Sequence, residues 1–326
     1  MKIGTVGTGF IVDTFMEAAA QIPGIQVEAV YSRTAEKAKA LGDKYDIPRR
    51  YTDRDAFLSD GGLDFIYVAS PNSLHYGWCR DALAAGRNVI CEKPFVTTSA
   101  QLKELVQTAR QKGLFLFEAI TVPHLPNFRL LRSRLGEIGD IKLCQMNFSQ
   151  YSSRYAAFKR GENPNVFSPA FSGGALMDIN YYNLYFAYGL FGRPRAIRYF
   201  PNMEEGIDTS GVLVLQYDGF VCSAVGCKDS KSRNLSQIQG DGGWIVVPEE
   251  TSRCVEVQVF AGGKEASYNQ QPVPNALYYE LTDFCAMFEA GDLAGCHRLL
   301  EDSLAVTALV EEARLAAGVA FADDKA

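Results

Sequence analysis

Gly4-Thr5-Val6-Gly7-Thr8-Gly9-Phe10-Ile11-Val12, directly after Lys2-Ile3, is the stretch on which the reading of the fold turns. Lys2–Val6 is a short apolar strand and Ile11–Gln21 has helical spacing, so the glycines occupy the turn between a first strand and a first helix. Gly7 makes the tight turn, and Gly9 lets a pyrophosphate approach the backbone. Phosphates there meet the open N–H groups at Phe10 and Ile11 and the positive end of the helix dipole. Val12 stands where a third small residue is usual. A lone G-x-G is common in turns. In this place, with a second strand to follow, it points to dinucleotide binding.

The alternation continues outward. Ile25–Ser32, Asp64–Ala69, Asn88–Glu92 and Leu114–Glu118 read as strands, separated by helical stretches at Thr34–Tyr45, Ser73–Ala85 and Ala100–Lys112. Strands joined by long helical crossovers pair in parallel, and runs such as Phe65-Ile66-Tyr67-Val68-Ala69 suit strands buried on both faces. The expected first domain, residues 1–120, is a doubly wound α/β sheet. After about Thr121 the pattern changes. Gly173–Gly189 looks helical, then come strand-like runs at Ala196–Phe200, Val212–Tyr217, Phe220–Val225, Leu235–Gln239, Trp244–Val247 and Val255–Phe260. Tyr217-Asp218-Gly219-Phe220 offers a hairpin turn with residues tolerant of positive φ. Helices return at Ala276–Glu289 and Leu299–Gly318. Residues 121–326 are therefore expected to form an α+β domain with a large, mostly antiparallel sheet. The boundary is placed at Glu118–Pro126, where two prolines break regularity.

Composition bounds the rest. The 326 residues are 47% hydrophobic and 21% charged, enough apolar material for two cores. A net charge of −6 argues against a nucleic-acid binder or a protein drawn to anionic membranes. No stretch reads as a signal peptide or a membrane span. The eight cysteines (79, 91, 144, 222, 227, 254, 285, 296) form no C-x-x-C pair and are expected as reduced thiols in a cytoplasmic protein. The three histidines, at 75, 124 and 297, lack ligand spacing, so no metal site is expected.

Cofactor choice turns on the end of the second strand. Glu28 has roughly the spacing of a ribose-binding carboxylate, but Ala29-Val30-Tyr31 carry the strand past it. The strand ends at Ser32-Arg33, with Lys37 a turn into the next helix. Hydroxyl plus guanidinium suits a phosphate, which favours NADP(H). NAD(H) stays open if Arg33 is only a solvated charge stacking near adenine.

Cys91-Glu92-Lys93-Pro94 closes a strand. With Ala69-Ser70-Pro71-Asn72-Ser73-Leu74-His75, Ala84-Ala85-Gly86-Arg87-Asn88-Val89, Glu118-Ala119 and Gly173-Gly174-Ala175-Leu176-Met177-Asp178, it resembles the glucose–fructose oxidoreductase/inositol dehydrogenase (Gfo/Idh/MocA) family. The resemblance runs to Ser303-Leu304-Ala305-Val306. It implies a Rossmann first domain, a second-domain sheet often used for dimerisation, and hydride transfer with a sugar, polyol or vicinal diol. The family's D-x-G-x-H motif reads Asp178-Ile179-Asn180-Tyr181-Tyr182 here. Tyrosine at the histidine position resembles the branch with dimeric dihydrodiol dehydrogenase and xylose dehydrogenases. Asn180 suits the glycine position if that position needs positive φ, and it otherwise narrows the pocket.

The alcohol proton must leave as the hydride moves. A phenol with a pKa near 10 is a poor base at neutral pH unless an ammonium stabilises the phenolate. The roles that follow are Tyr182 as acid/base, Lys93 as its electrostatic partner, and Asp178 orienting substrate hydroxyls. Tyr181 is the rival if the register slips by one. Ser70, Pro71 and Asn72 are expected to line the cofactor, His75 either to join them or to be simply a satisfied helix residue, and Glu92 to touch the nicotinamide ribose or serve the structure. His124, between prolines, reads as structural. Arg154, Tyr155, Phe158, Lys159 and Arg160 suit either carbohydrate binding or a solvated charge run. A homodimer or higher homo-oligomer is expected. A non-catalytic dinucleotide sensor and an NAD-assisted glycosidase are the competing readings of the same fold.

Overall fold

The computed structural model describes residues Met1–Lys325 and divides into two units, 1–119 with 275–304 and 120–274 with 305–326. The first break follows Ala119, and residues 275–304, expected in the second domain, group with the first unit.

The first unit holds β1 (Lys2–Val6), α1 (Phe10–Ala19), β2 (Gln26–Tyr31), α2 (Ala35–Lys44), β3 (Arg49–Tyr51), α3 (Arg54–Leu58), β4 (Phe65–Val68), α4 (His75–Ala84), β5 (Asn88–Glu92), α5 (Ser99–Lys112) and β6 (Leu116–Ala119). The six strands are all parallel, in the order β3-β2-β1-β4-β5-β6. The order reverses between β1 and β4, and ligands bind such sheets outside the strand ends at that switch point. Every residue of β4 is fully buried, as a central parallel strand requires. Two short elements, β3 and α3, carry too little periodicity to be read from sequence.

The second unit holds α6 (Pro126–Arg134), β7 (Ile141–Ser149), α7 (Tyr155–Lys159), α8 (Tyr181–Phe191), β8 (Ala196–Glu204), β9 (Ile207–Gln216), β10 (Val221–Cys227), β11 (Leu235–Gly240), β12 (Gly243–Pro248), β13 (Val257–Ala261) and β14 (Lys264–Tyr268). Its eight strands run β14-β13-β12-β11-β7-β10-β9-β8, antiparallel except for the β7–β10 pair. One sheet face, with Cys144, Met146, Cys222, Ala224, Leu213, Leu215, Ile238 and Ile245, is buried, and α8 packs on it. The β9–β10 hairpin closes through Tyr217 N–H to Phe220 O, with Gly219 at φ +89°.

Two last helices follow, α9 (Leu277–Ala290) and α10 (Leu293–Ala316). α9 packs on α1 and β6, with Phe284 stacked on Phe117 at 4.3 Å. Cys296 Sγ donates to Leu116 O. The sequence shows these helices but not which sheet their apolar faces match. All eight cysteines are buried and free. Among the described residues, no helix is long and apolar enough to cross a membrane, and no group of His, Cys, Asp and Glu is arranged to hold a metal.

Candidate functional site

In the first unit the site begins at the turn after β1. Gly7 has φ +113°, and a Cβ there would lie 2.5 Å from Ala69 O. The turn is pressed against the end of β4, so only glycine fits. A Cβ on Gly9 would meet nothing within 4 Å, and Gly9 caps α1 with no side-chain hydrogen bond. The first amides of α1 thus face open space at the positive end of the dipole, a cradle suited to a phosphate. Val12 is fully buried against the core, and Phe10 is 83% exposed beside the turn.

In the middle of β2, the Glu28 carboxylate is engaged by Arg49. Arg49 Nη2 donates to that carboxylate at 2.7 Å while Nη1 reaches Asp60 at 2.6 Å. Ser32 is buried, whereas Arg33 and Lys37 are exposed and their side chains have no partner among the described residues. Two unneutralised cations one helical turn apart, with the carboxylate engaged elsewhere, match a ribose phosphate better than a diol.

Lys93 is half-buried at the end of β5, and its bond to Pro94 is cis. The turn that carries it is pinned on several sides. Tyr67 OH donates to Glu92 Oε1 at 2.6 Å, Phe95 N–H donates to Glu118 Oε1 at 3.2 Å, and the His75 ring lies 3.0 Å from Pro94 O. The other His75 nitrogen is 2.8 Å from Ser70 O. This corrects the cofactor-lining reading of His75 and leaves the structural one. Its ring is fully buried between two backbone carbonyls, with burial holding its pKa below the usual value, so it ties the Ser70 turn to the Lys93 turn rather than lining a ligand. Glu92 is likewise turned inward, which keeps the structural half of its expected role. Ser70, Pro71 and Asn72 stay half-buried at the end of β4.

Burial pushes the Glu92 carboxyl up to about 7, against the Tyr67 hydroxyl and the Lys93 charge, which hold it down. Burial and the neighbouring Glu92 and Glu118 carry Glu280 well above the carboxylate range. A carboxyl that binds its proton more tightly when folded stabilises the protein below its unfolded pKa, and that contribution fades as pH rises through about 7. Glu92→Gln keeps the acceptor for Tyr67 and removes the buried charge. Its melting temperature, compared with that of the unaltered protein, should gain steadily from about pH 5 to about pH 8. A constant difference across that range counts against a titrating Glu92.

In the second unit a π-helical turn, Leu176–Asn180, runs directly into α8. Such turns are rare and frequent at functional sites. It is held from below by Asp208, whose Oδ2 accepts from Leu176 N–H at 2.8 Å and Tyr199 OH at 2.7 Å. Burial raises Asp208 to about 6. Asp178 and Tyr182, four residues apart, share a face. Tyr182 is half-buried with the Phe148 ring 6.2 Å away, while Tyr181 is 1% exposed and stacks into the core near Tyr185. Asp178 pairs with Lys228 at 2.6 Å.

Asn180 corrects an expectation. Its φ is −72°, so no positive-φ position exists there, and its side chain is fully buried rather than projecting into a pocket. Nδ2 donates to Ala224 O, and Oδ1 accepts from Asn183, binding the turn to β10. The close approach needs Gly226, where a Cβ would lie 2.5 Å from Asn180 Cβ. The cationic loop is structural in part. Tyr155 OH and Lys159 Nζ both donate to Glu204, and Phe158 stacks on Phe167. Lys228 and Asp208 are the residues that sequence reasoning missed. Lys228-Asp229-Ser230-Lys231 reads as a solvated turn, and nothing local announces a partner fifty residues upstream.

Comparison with known proteins agrees with this geometry. Residues 1–120 match the family described as an oxidoreductase family with an NAD-binding Rossmann fold, and 131–246 match the GFO/IDH/MocA C-terminal domain. The chain is 34% identical to the scyllo-inositol 2-dehydrogenase (NADP+) of Bacillus subtilis over all of both chains. It is 28% identical to the trans-1,2-dihydrobenzene-1,2-diol dehydrogenase of Mus musculus, over 100% of this chain and 99% of that one. The 3-ketoreductase KijD10 from Actinomadura kijaniata, solved with NADP and TDP-benzene, shares the fold with a TM-score of 0.85 at 22% identity, over 97% of each chain. With both family models matched and a full-length relative at this identity, the chain belongs to the GFO/IDH/MocA family of NAD(P)-dependent oxidoreductases.

Proposed function

We propose that this protein is an NADP(H)-preferring dehydrogenase or reductase acting on a CH–OH group of a neutral sugar, polyol or vicinal diol. The observation that carries the reading lies at β2, where mid-strand Glu28 is bound by Arg49 while the Arg33 and Lys37 side chains just past the strand have no partner among the described residues. Gly7, Gly9, Phe10 and Ile11 would take the pyrophosphate, Ser32, Arg33 and Lys37 the ribose phosphate, and Ser70, Pro71, Asn72 and Lys93 the nicotinamide half. Bound NADP+ supplies the hydride acceptor. Tyr182 takes the alcohol proton in oxidation and returns it in reduction. Asp178 accepts a substrate hydroxyl, and Lys93 offers a positive charge beside the nicotinamide half.

Titration with NADPH and NADH separately, then turnover on a panel of polyols, sugars and diols, tests the reading. Arg33→Ala should weaken NADPH by about 10- to 100-fold, the worth of a hydrogen bond to a charged group, and leave NADH unchanged. Equal weakening of both overturns the NADP(H) preference. Tight NADPH binding with no turnover on any substrate would instead favour a sensor.

We also propose a homodimer. The sheet face opposite α8 bears Phe200 at 61% exposure and Val221 at 40%, with half-buried Leu143, Val212, Val214, Val225, Trp244 and Phe260 beside them. An apolar surface this broad is uncommon on a monomer. Sedimentation at micromolar concentration should show twice the chain mass, and Phe200→Asp should shift it towards one. The eight buried free thiols suit a reducing compartment such as the cytoplasm.

A further inference from the structure

We propose that Lys228 is a positioning residue for the reaction, holding Asp178 at the angle from which it accepts a hydroxyl of an uncharged polyhydroxy substrate. This rests on the reading of Asp178 given above. The Lys228 side chain is 3% exposed, and a lysine is seldom so buried without a specific partner. Its ammonium is held at three points. Nζ donates to Asp178 Oδ2 at 2.6 Å and to Val166 O at 2.9 Å, and it sits 4.5 Å from the centre of the Phe167 ring. Its own backbone N–H is tied to Thr209 O across the strands. The cation therefore has little freedom to move, and it restricts whatever it grips.

The pair is lopsided. Asp178 keeps 31% side-chain exposure, so the carboxylate is the end that solvent and solutes reach. A buried ion pair is poor at adding stability, because desolvation offsets the attraction. A pair with one wet end instead presents a carboxylate whose direction is set from behind. Because Lys228 offsets its charge, the Asp178–Lys228 pair itself adds no net attraction for a cationic or an anionic substrate. It suits a neutral one, recognised through its hydroxyls.

The test is a double-mutant cycle with kcat and KM resolved separately, on whichever polyol or diol the enzyme turns over. Asp178→Asn and Lys228→Met should each raise KM by about 10- to 100-fold with a smaller change in kcat. The double variant should be no worse than Asp178→Asn alone, since Lys228 then has nothing left to position. NADPH affinity should be unchanged in all three. Lys228→Gln keeps a donor for the Val166 carbonyl and loses only the charge, so it replaces Lys228→Met if that variant does not fold. If Asp178→Asn is impaired while Lys228→Met is not, or if the two effects multiply, the proposal is overturned and the reading of Asp178 stands. If Asp178→Asn has no effect, that reading fails, and this proposal falls with it.

Discussion

Replacing Tyr182 by phenylalanine should lower kcat/KM by about 10²- to 10⁴-fold, the span of a positioned proton carrier, while leaving NADPH affinity unchanged. The substitution removes one oxygen from a half-buried ring, and Phe148 beside it accepts a phenyl group as readily as a phenol. The loss is expected on turnover rather than on cofactor affinity. Tyr181→Phe is the matched control. That residue is 1% exposed and packed in the core, so its loss should affect stability and not the rate. Steady-state rates read at the nicotinamide absorbance, with melting curves for both variants, separate the outcomes. If Tyr181→Phe is the slow enzyme, the proton carrier has been misassigned by one residue.

The second large effect is expected from Gly7→Ala. An L-residue at φ +113° carries about 1–3 kcal/mol of backbone strain. The added methyl carbon must also clear a backbone oxygen that would be 2.5 Å away, and neither β1 nor β4 can yield without disturbing the parallel ladder between them. Overpacking of that kind adds roughly 1–3 kcal/mol. Because the same turn aims the amides of α1, NADPH affinity should fall with stability. Gly9→Ala puts a methyl group where no protein atom lies within 4 Å, so stability should hardly change, while the phosphate loses room. A Gly9→Ala variant that binds NADPH normally would show that the pyrophosphate does not approach there. Differential scanning calorimetry and fluorescence titration of the two variants make the comparison.

Much of the first unit was legible because its signals are local. The glycine turn, the strand–helix alternation and the apolar runs each report on residues within one or two turns of chain. Tyr182 and Asp178 were reached only through the resemblance of Asp178-Ile179-Asn180-Tyr181-Tyr182 to the family motif. What failed to show were short or tertiary-dependent parts. β7, α6 and the three-residue β3 have weak periodicity, and β14 is almost wholly exposed. Asn180 was read as a conformational stand-in for glycine, but its amide is spent on Ala224 O in another element. His75 was open between a cofactor-lining residue and a satisfied helix residue, and its ring joins the carbonyls of Ser70 and Pro94, which no local pattern announces.

The family resemblance pointed to Lys93, Asp178 and Tyr182; the residues by themselves determined the doubly wound sheet and the glycine turn between β1 and α1. These follow from hydrophobic period, from glycine's freedom at positive φ and from residue order along one strand or helix. Only the tertiary structure decided that Glu28 is captured by Arg49, that Tyr181 is core while Tyr182 is not, and that Asp178 is backed by Lys228. It also returned residues 275–304 to the first unit. The reason is common to all four. Each depends on which side chain of a distant element fills the space opposite, and partners brought together only by packing leave no periodic trace along the chain.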